Sequence, residues 1–166
     1  MDKTVYLSIG SNLGDREVNL REAVKRLGAV GSITKVSSFY ETEPVEVTDQ
    51  PWFLNCAVEL KTGKMPRQLM SALLQIERDM GRRRMRAKGP RVIDIDILLF
   101  GSSVIALDEL TVPHPAMHQR RFVLQPLAEI APGVRHPILK QTAQQLRDAL
   151  GPGSPVVRKQ ADKDQQ

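Results

Sequence analysis

A chain of 166 residues with 41% hydrophobic and 26% charged residues has the size of one globular domain with one core, and no run in it approaches the roughly 18 consecutive apolar residues of a membrane span. Its net charge of +5 suits a polyanionic partner without separating a nucleotide from a nucleic acid, and a single cysteine excludes an internal disulfide or a multi-cysteine zinc site. The N-terminus leads directly into apolar alternation with no signal-peptide core, so the expected location is the cytoplasm.

Thr4 to Ile9 reads as a first strand, followed by the turn Gly10-Ser-Asn-Leu-Gly14 and a helix over Asp15 to Leu27 whose stripe is Val18, Leu20, Ala23, Val24 and Leu27. Ile33 to Tyr40 is a second strand. Glu41 to Pro51, with two prolines and no apolar period, is a long loop. Phe53 to Leu60 is a third strand and holds Cys56, which reads as a small buried filler. Pro66 opens a second helix that runs to Met80 on Leu69, Leu73, Ile76 and Met80. A basic loop and a strand over Val92 to Leu99 follow, then a short strand at Val104 to Leu107. Phe122, Leu124, Leu127 and Ile130 space a broken helical stretch, and a last amphipathic helix covers Thr142 to Leu150. The expected domain is 1–150, with 151–166 a tail lacking structure. The order strand, helix, strand, strand, helix, strand is the split βαβ, or ferredoxin-like, α+β arrangement with C-terminal additions, and it predicts an antiparallel sheet with helices on one face.

The chemistry concentrates in Gly89-Pro-Arg-Val-Ile-Asp-Ile-Asp-Ile-Leu-Leu-Phe-Gly101. In a strand, residues two apart share a face, so Asp94 and Asp96 point the same way about 7 Å apart. Two mid-strand carboxylates need either open water or a cation on that face. Arg82, Arg83, Arg84, Arg86, Lys88 and Arg91 stand immediately upstream. A solvated strand face is the plain alternative. The neighbouring cations favour Mg²⁺ and a nucleotide, because Mg²⁺ takes one or two carboxylates and completes its shell with phosphate oxygens and water.

The ordered set Gly10-Ser-Asn-Leu-Gly14, Phe53-Leu-Asn55, Gly89-Pro-Arg-x-x-Asp-x-Asp-Ile-Leu-Leu-Phe-Gly101 and Thr111-Val-Pro-His114 resembles the 6-hydroxymethyl-7,8-dihydropterin pyrophosphokinase family over about residues 4 to 140. The resemblance implies transfer of the β,γ-pyrophosphoryl unit of ATP to the pterin hydroxymethyl group, with release of AMP, on the route to folate. It implies two Mg²⁺ ions held by Asp94 and Asp96, phosphates held by Arg82 and Arg91, and further phosphate contacts from His114 and Arg120. Thr111 would border the adenosine. Phe53 and Phe122 would stack on the pterin and Asn55 would read its amide-like edge, with the backbone of Thr42 and Pro44 alongside. Glu77 matches an acidic helix residue near the site, although surface solvation explains it equally well. His118 and His136 match nothing and read as surface residues. The resemblance further implies a basic loop that folds over the substrates; here Lys88 stands where an aromatic often does.

An RNA-binding domain of the same fold is the competing reading. It would carry aromatic RNP-type strands, whereas the Asp-x-Asp strand puts negative charge where an RNA backbone would lie. The expectation is an enzyme acting as a monomer on small molecules, with neither nucleic acid nor membrane as a partner.

Overall fold

Strand β1 (Lys3–Ser11) sends Val5, Leu7 and Ile9 to one face and Tyr6, Ser8 and Gly10 to the other, and this division runs through the whole sheet. The structure is a computed structural model that describes residues 2–43, 51–81 and 91–151 and the backbone of 156–158. After β1 come α1 (Arg16–Leu27), β2 (Ser32–Val36), β3 (Tyr40–Thr42), β4 (Phe53–Thr62), α2 (Pro66–Asp79) and β5 (Asp94–Phe100). The hairpin β6 (Ile105–Ala106) and β7 (Thr111–Val112), the helices α3 (Arg121–Ile130) and α4 (Ala143–Ala149), and β8 (Val156–Arg158) complete the order.

The main sheet runs β5-β1-β4-β3-β8 with β2 also on β4, and every pairing is antiparallel. The fold is therefore mixed α and β on an antiparallel sheet. The single strand expected over Ile33 to Tyr40 is instead two, because Ser37 interrupts it: its N–H donates to the Ala57 carbonyl (2.9 Å) and its hydroxyl accepts from the Ala57 N–H (2.8 Å). Val156–Arg158, inside the tail expected to lack structure, adds β8 to the outer edge of β3. Its paired β-branched residues suit a strand, and β3 offers the edge.

One face is covered by α1 and α2, whose Leu20, Ala23, Leu27, Leu69, Leu73 and Ile76 pack on Val5, Leu7, Ile9 and Val58. Asp15 caps α1 by accepting from the Val18 N–H (3.1 Å). The expectation of helices on one face only is corrected by α3 and α4, which lay Val123, Leu124, Leu127 and Leu146 over Tyr6, Ala57, Leu98 and Leu99 on the second face. The stretch expected to be broken is one helix despite Pro126 within it. Burial of Leu124 and Leu127 offsets the missing donor of the proline.

A bulge makes this double use of β5 possible. Tyr6 pairs with Leu99 and Leu7 with Ile97, so Leu98 is the extra residue. Ile93, Ile95 and Ile97 face the α1/α2 core, while Leu98 and Leu99 both join the α3/α4 core. Asp94 and Asp96 share the second face with Leu98. The same face carries Gly10, Asn55, Thr42 and Phe53, which are aligned by the pairs Gly10↔Asn55, Gly10↔Asp94 and Thr42↔Phe53.

Candidate functional site

β5 is the last strand of the sheet, so its outer backbone groups need a partner. Glu77 of α2 supplies one: its Oε2 accepts from the Ile95 N–H at 2.8 Å, between the two aspartates. Glu77 is 2% exposed, which corrects the surface alternative. It follows Leu73 by one helical repeat and so falls on the buried stripe of α2.

Asp94 and Asp96 are both partly buried, opposite Gly10 and Ser8 respectively. Burial, then the Asp94 charge, then Glu77 push the Asp96 carboxyl up to about 7, partly offset by Arg120 and Arg91. The Arg91 guanidinium lies 3.7 Å from Asp94 Oδ1. The folded state therefore holds the Asp96 proton more tightly than the unfolded chain does, which gives stability that is complete below the unfolded value near 4 and lost as pH rises to 7. Asp96→Asn should therefore raise the melting midpoint of the metal-free protein at pH 8 by about 3 °C or more, with the gain vanishing near pH 4. Calorimetry at the two pH values checks this, and an equal shift at both would refute it.

Around the strand tip opens a cleft of about 460 Å³. Asp94, Asp96, Arg91 and Arg120 line its charged part; Met70, Leu73 and Leu74 of α2 with Leu110 line an apolar part. Thr111 and His114 enter from the segment after β6. That segment is fixed to β5 by the His114 N–H donating to the Leu98 carbonyl (2.9 Å), and its Val112–Pro113 peptide bond is cis. His114 Nδ1 accepts from the Ala116 N–H at 3.2 Å, so in the neutral ring the proton sits on Nε2. Burial and the Arg120 charge lower the His114 pKa, and Asp94 opposes them. At neutral pH the ring is then an uncharged donor suited to a phosphate oxygen.

The second part of the site lies across β1. Asn55 is buried, and its Nδ2 donates to Thr42 Oγ1 at 2.6 Å, fixing the plane of the amide. A Cβ placed on Gly10 would lie 2.4 Å from Asn55 Oδ1 and 3.4 Å from Phe53 Cδ1, so the absent side chain is what admits this pair. The Arg120 guanidinium sits 5.5 Å from the centre of the Phe122 ring. Arg120 thus belongs to the charged cleft and also touches an expected stacking residue.

Of the expected site residues, the structure gathers Arg91, Asp94, Asp96, Thr111, His114 and Arg120 in one cleft, and Thr42, Phe53 and Asn55 at the end of β3 and β4. Pro44, Arg82 and the remaining basic residues 83–88 lie outside the described residues. Gly10 and Asn12, expected only as members of the turn motif Gly10-Ser-Asn-Leu-Gly14, also meet these residues, Gly10 beside Asn55 and Asn12 bonded to Arg91. His136 is buried, correcting its surface assignment: its Nδ1 accepts from the Ile138 and Leu139 N–H groups. Cys56 is buried as expected, and burial followed by the Glu129 charge raises its thiol to about 12.

Among the described residues no group of three or more His, Cys, Asp or Glu side chains converges as a metal cage. Two carboxylates on one strand face, with one Glu77 oxygen engaged by Ile95, form a sparse oxygen set. That set fits Mg²⁺, which shares its shell with water and phosphate. Among the described residues no helix is long and apolar enough to cross a membrane.

The family model for 7,8-dihydro-6-hydroxymethylpterin-pyrophosphokinase matches residues 6–132. The 2-amino-4-hydroxy-6-hydroxymethyldihydropteridine pyrophosphokinase of Bacillus subtilis (strain 168) is 52% identical over 132 residues, covering 78% of this chain and 79% of that protein. Its counterpart from Aquifex aeolicus (strain VF5) is 39% identical over 144 residues, 87% of this chain and 90% of that one. The mitochondrial folate synthesis bifunctional protein of Pisum sativum is 47% identical over 130 residues, but the match spans only 25% of its length. A solved HPPK-DHPS structure in complex with substrates aligns with a TM-score of 0.71 at 16% identity, over 90% of this chain and 43% of that one, which is a likeness of fold.

Proposed function

The chain belongs to the 7,8-dihydro-6-hydroxymethylpterin-pyrophosphokinase family and is a pyrophosphokinase of folate biosynthesis, and on that premise we propose how its own residues carry the reaction. The pterin hydroxymethyl oxygen attacks the β-phosphorus of ATP. The hydroxyl proton is lost, a new O–P bond forms, and the bond from the β-phosphorus to the oxygen that departs with AMP breaks. The observation that carries this reading is the meeting of Asp94, Asp96, Arg91, His114 and Arg120 in one cleft, on the sheet face that also presents Asn55 and Phe53.

Arg91 and Arg120 offset triphosphate charge, and the neutral Nε2–H of His114 donates to a phosphate oxygen. Arg82, in the basic segment between α2 and β5, is assigned to the phosphates with them. Met70, Leu73, Leu74 and Leu110 take the flat face of the nucleobase, and Thr111 borders the nucleoside. Phe53 and Phe122 sandwich the pterin, Asn55 pairs with its edge, and Thr42 and Pro44 flank it. Asp94 and Asp96 hold two Mg²⁺ ions, which when bound neutralise phosphate charge and make the hydroxyl more acidic. The work of the fold is alignment of nucleophile and phosphorus, a large share of the catalysis in phosphoryl chemistry.

The strand order β5-β1-β4 followed by β2 and β3 supports a ferredoxin-like core with α3, α4 and β8 as additions. The protein is proposed to act as a cytoplasmic monomer on small molecules. The test is product analysis with ATP, Mg²⁺ and 6-hydroxymethyl-7,8-dihydropterin. Pterin-dependent AMP is expected; ADP in its place would overturn the reaction.

A further inference from the structure

The turn after β1 reaches both sides of the site through one side chain. Asn12 is 1% exposed. Its Oδ1 accepts from the Arg91 N–H at 2.7 Å, and its own N–H donates to the Arg91 carbonyl at 3.0 Å, so the two residues close a ring of two hydrogen bonds. Its Nδ2 donates to the Pro51 carbonyl at 3.1 Å. Arg91 stands three residues before Asp94 and faces its carboxylate; Pro51 stands two residues before Phe53.

Further bonds keep this turn in place. Asn19 Nδ2 donates to the Leu13 carbonyl (2.8 Å) and to Ser11 Oγ (3.2 Å), Gly14 takes a φ of 74°, and Asp15 starts α1. Arg16 on the first turn of that helix donates to the Trp52 carbonyl (3.0 Å) and pairs with Glu41 (2.7 Å). The carbonyls of residues 51 and 52 are thus both held from α1 and the turn before it. Arg91 is held from the same turn.

We propose that Asn12 is a positioning residue that fixes the phosphate side and the pterin side of the site relative to each other. The proposal rests on the assignment of those two sides above. Asparagine suits the place because it presents an acceptor and a donor on one short planar group. Aspartate keeps the acceptor for Arg91 and loses the donor for Pro51; alanine loses both.

Binding of α,β-methylene-ATP with Mg²⁺ and, separately, of 6-hydroxymethyl-7,8-dihydropterin tests it by calorimetry on the full chain. Asn12→Ala is expected to weaken each ligand about tenfold, in line with loss of one or two buried hydrogen bonds. Asn12→Asp is expected to weaken the pterin alone, as is Arg16→Met. The proposal is overturned if Asn12→Ala lowers only the melting temperature while both affinities per folded molecule stay at wild-type values, or if it weakens only one ligand. Should Asn12→Ala not fold, Asn12→Asp decides: weaker pterin with nucleotide affinity kept supports the role, and unchanged pterin affinity refutes it. A wild-type protein that binds neither ligand would instead overturn the assignment of the two sides.

Discussion

Replacing either Asp94 or Asp96 with alanine should lower pterin-dependent AMP formation by about 10³-fold or more, because each removes part of an oxygen set that has no spare members. Among the described residues no group of three metal-binding side chains stands ready to substitute. Glu77 cannot move in without giving up the Ile95 N–H that it caps. The loss should therefore fall on turnover, with the fold kept, since both side chains sit at a partly exposed strand tip. Nucleotide chromatography on the two variants, with circular dichroism for the fold, is the measurement. AMP formation within tenfold of wild type in either variant would take the metal off this strand.

The second large effect is expected from a single methyl group. Gly10→Ala should raise the KM for the pterin about 10- to 100-fold while leaving nucleotide binding intact, which corresponds to the roughly 1–3 kcal/mol of overpacking in a close-packed site. Gly10 is not among the glycines with positive φ, so the backbone itself accepts alanine and the effect comes from the methyl. That methyl would lie 2.4 Å from Asn55 Oδ1. β1 is laddered on both sides, to β4 and β5, and cannot shift away without disturbing both. Asn55 must rotate instead and release Thr42. Steady-state kinetics with each substrate varied in turn would show it; an unchanged pterin KM would mean that Asn55 is not the group reading the pterin edge.

Local pattern made the Asp94/Asp96 strand and the shared face of Phe53 and Asn55 readable, since alternation fixes faces wherever a strand is regular. It failed where a tertiary partner decided the outcome. Glu77 occupies a helical repeat from Leu73, yet its charge masked its place on the buried stripe until the unpaired edge of β5 explained it. Gly10 stood inside a turn motif and looked like a turn residue, whereas its use is the space it leaves for a side chain on another strand. The break at Ser37 depended on the hydroxyl replacing a ladder bond to Ala57, which no propensity encodes. His136 shows the reverse case: a lone histidine reads as a surface residue, although two backbone N–H groups converge on its ring. The two C-terminal helices are legible but their position is not, because the spacing of Leu124 and Leu127 tells that a stripe exists but not which face of the sheet it will cover.

The bulge at Leu98 gives β5 an uneven tolerance for errors of length. A one-residue deletion between Asp94 and Ile97 shifts the phase of the strand and turns an aspartate toward the α1/α2 core. Deletion of Leu98 itself restores plain alternation, leaving the aspartates and Leu99 on the face they already occupy. What such a chain forfeits is packing, about 2–5 kcal/mol for a leucine only 1% exposed. The strand therefore carries a residue that is redundant for phase but not for cohesion, so that length variation at this position would spare catalysis and be felt as lost heat resistance.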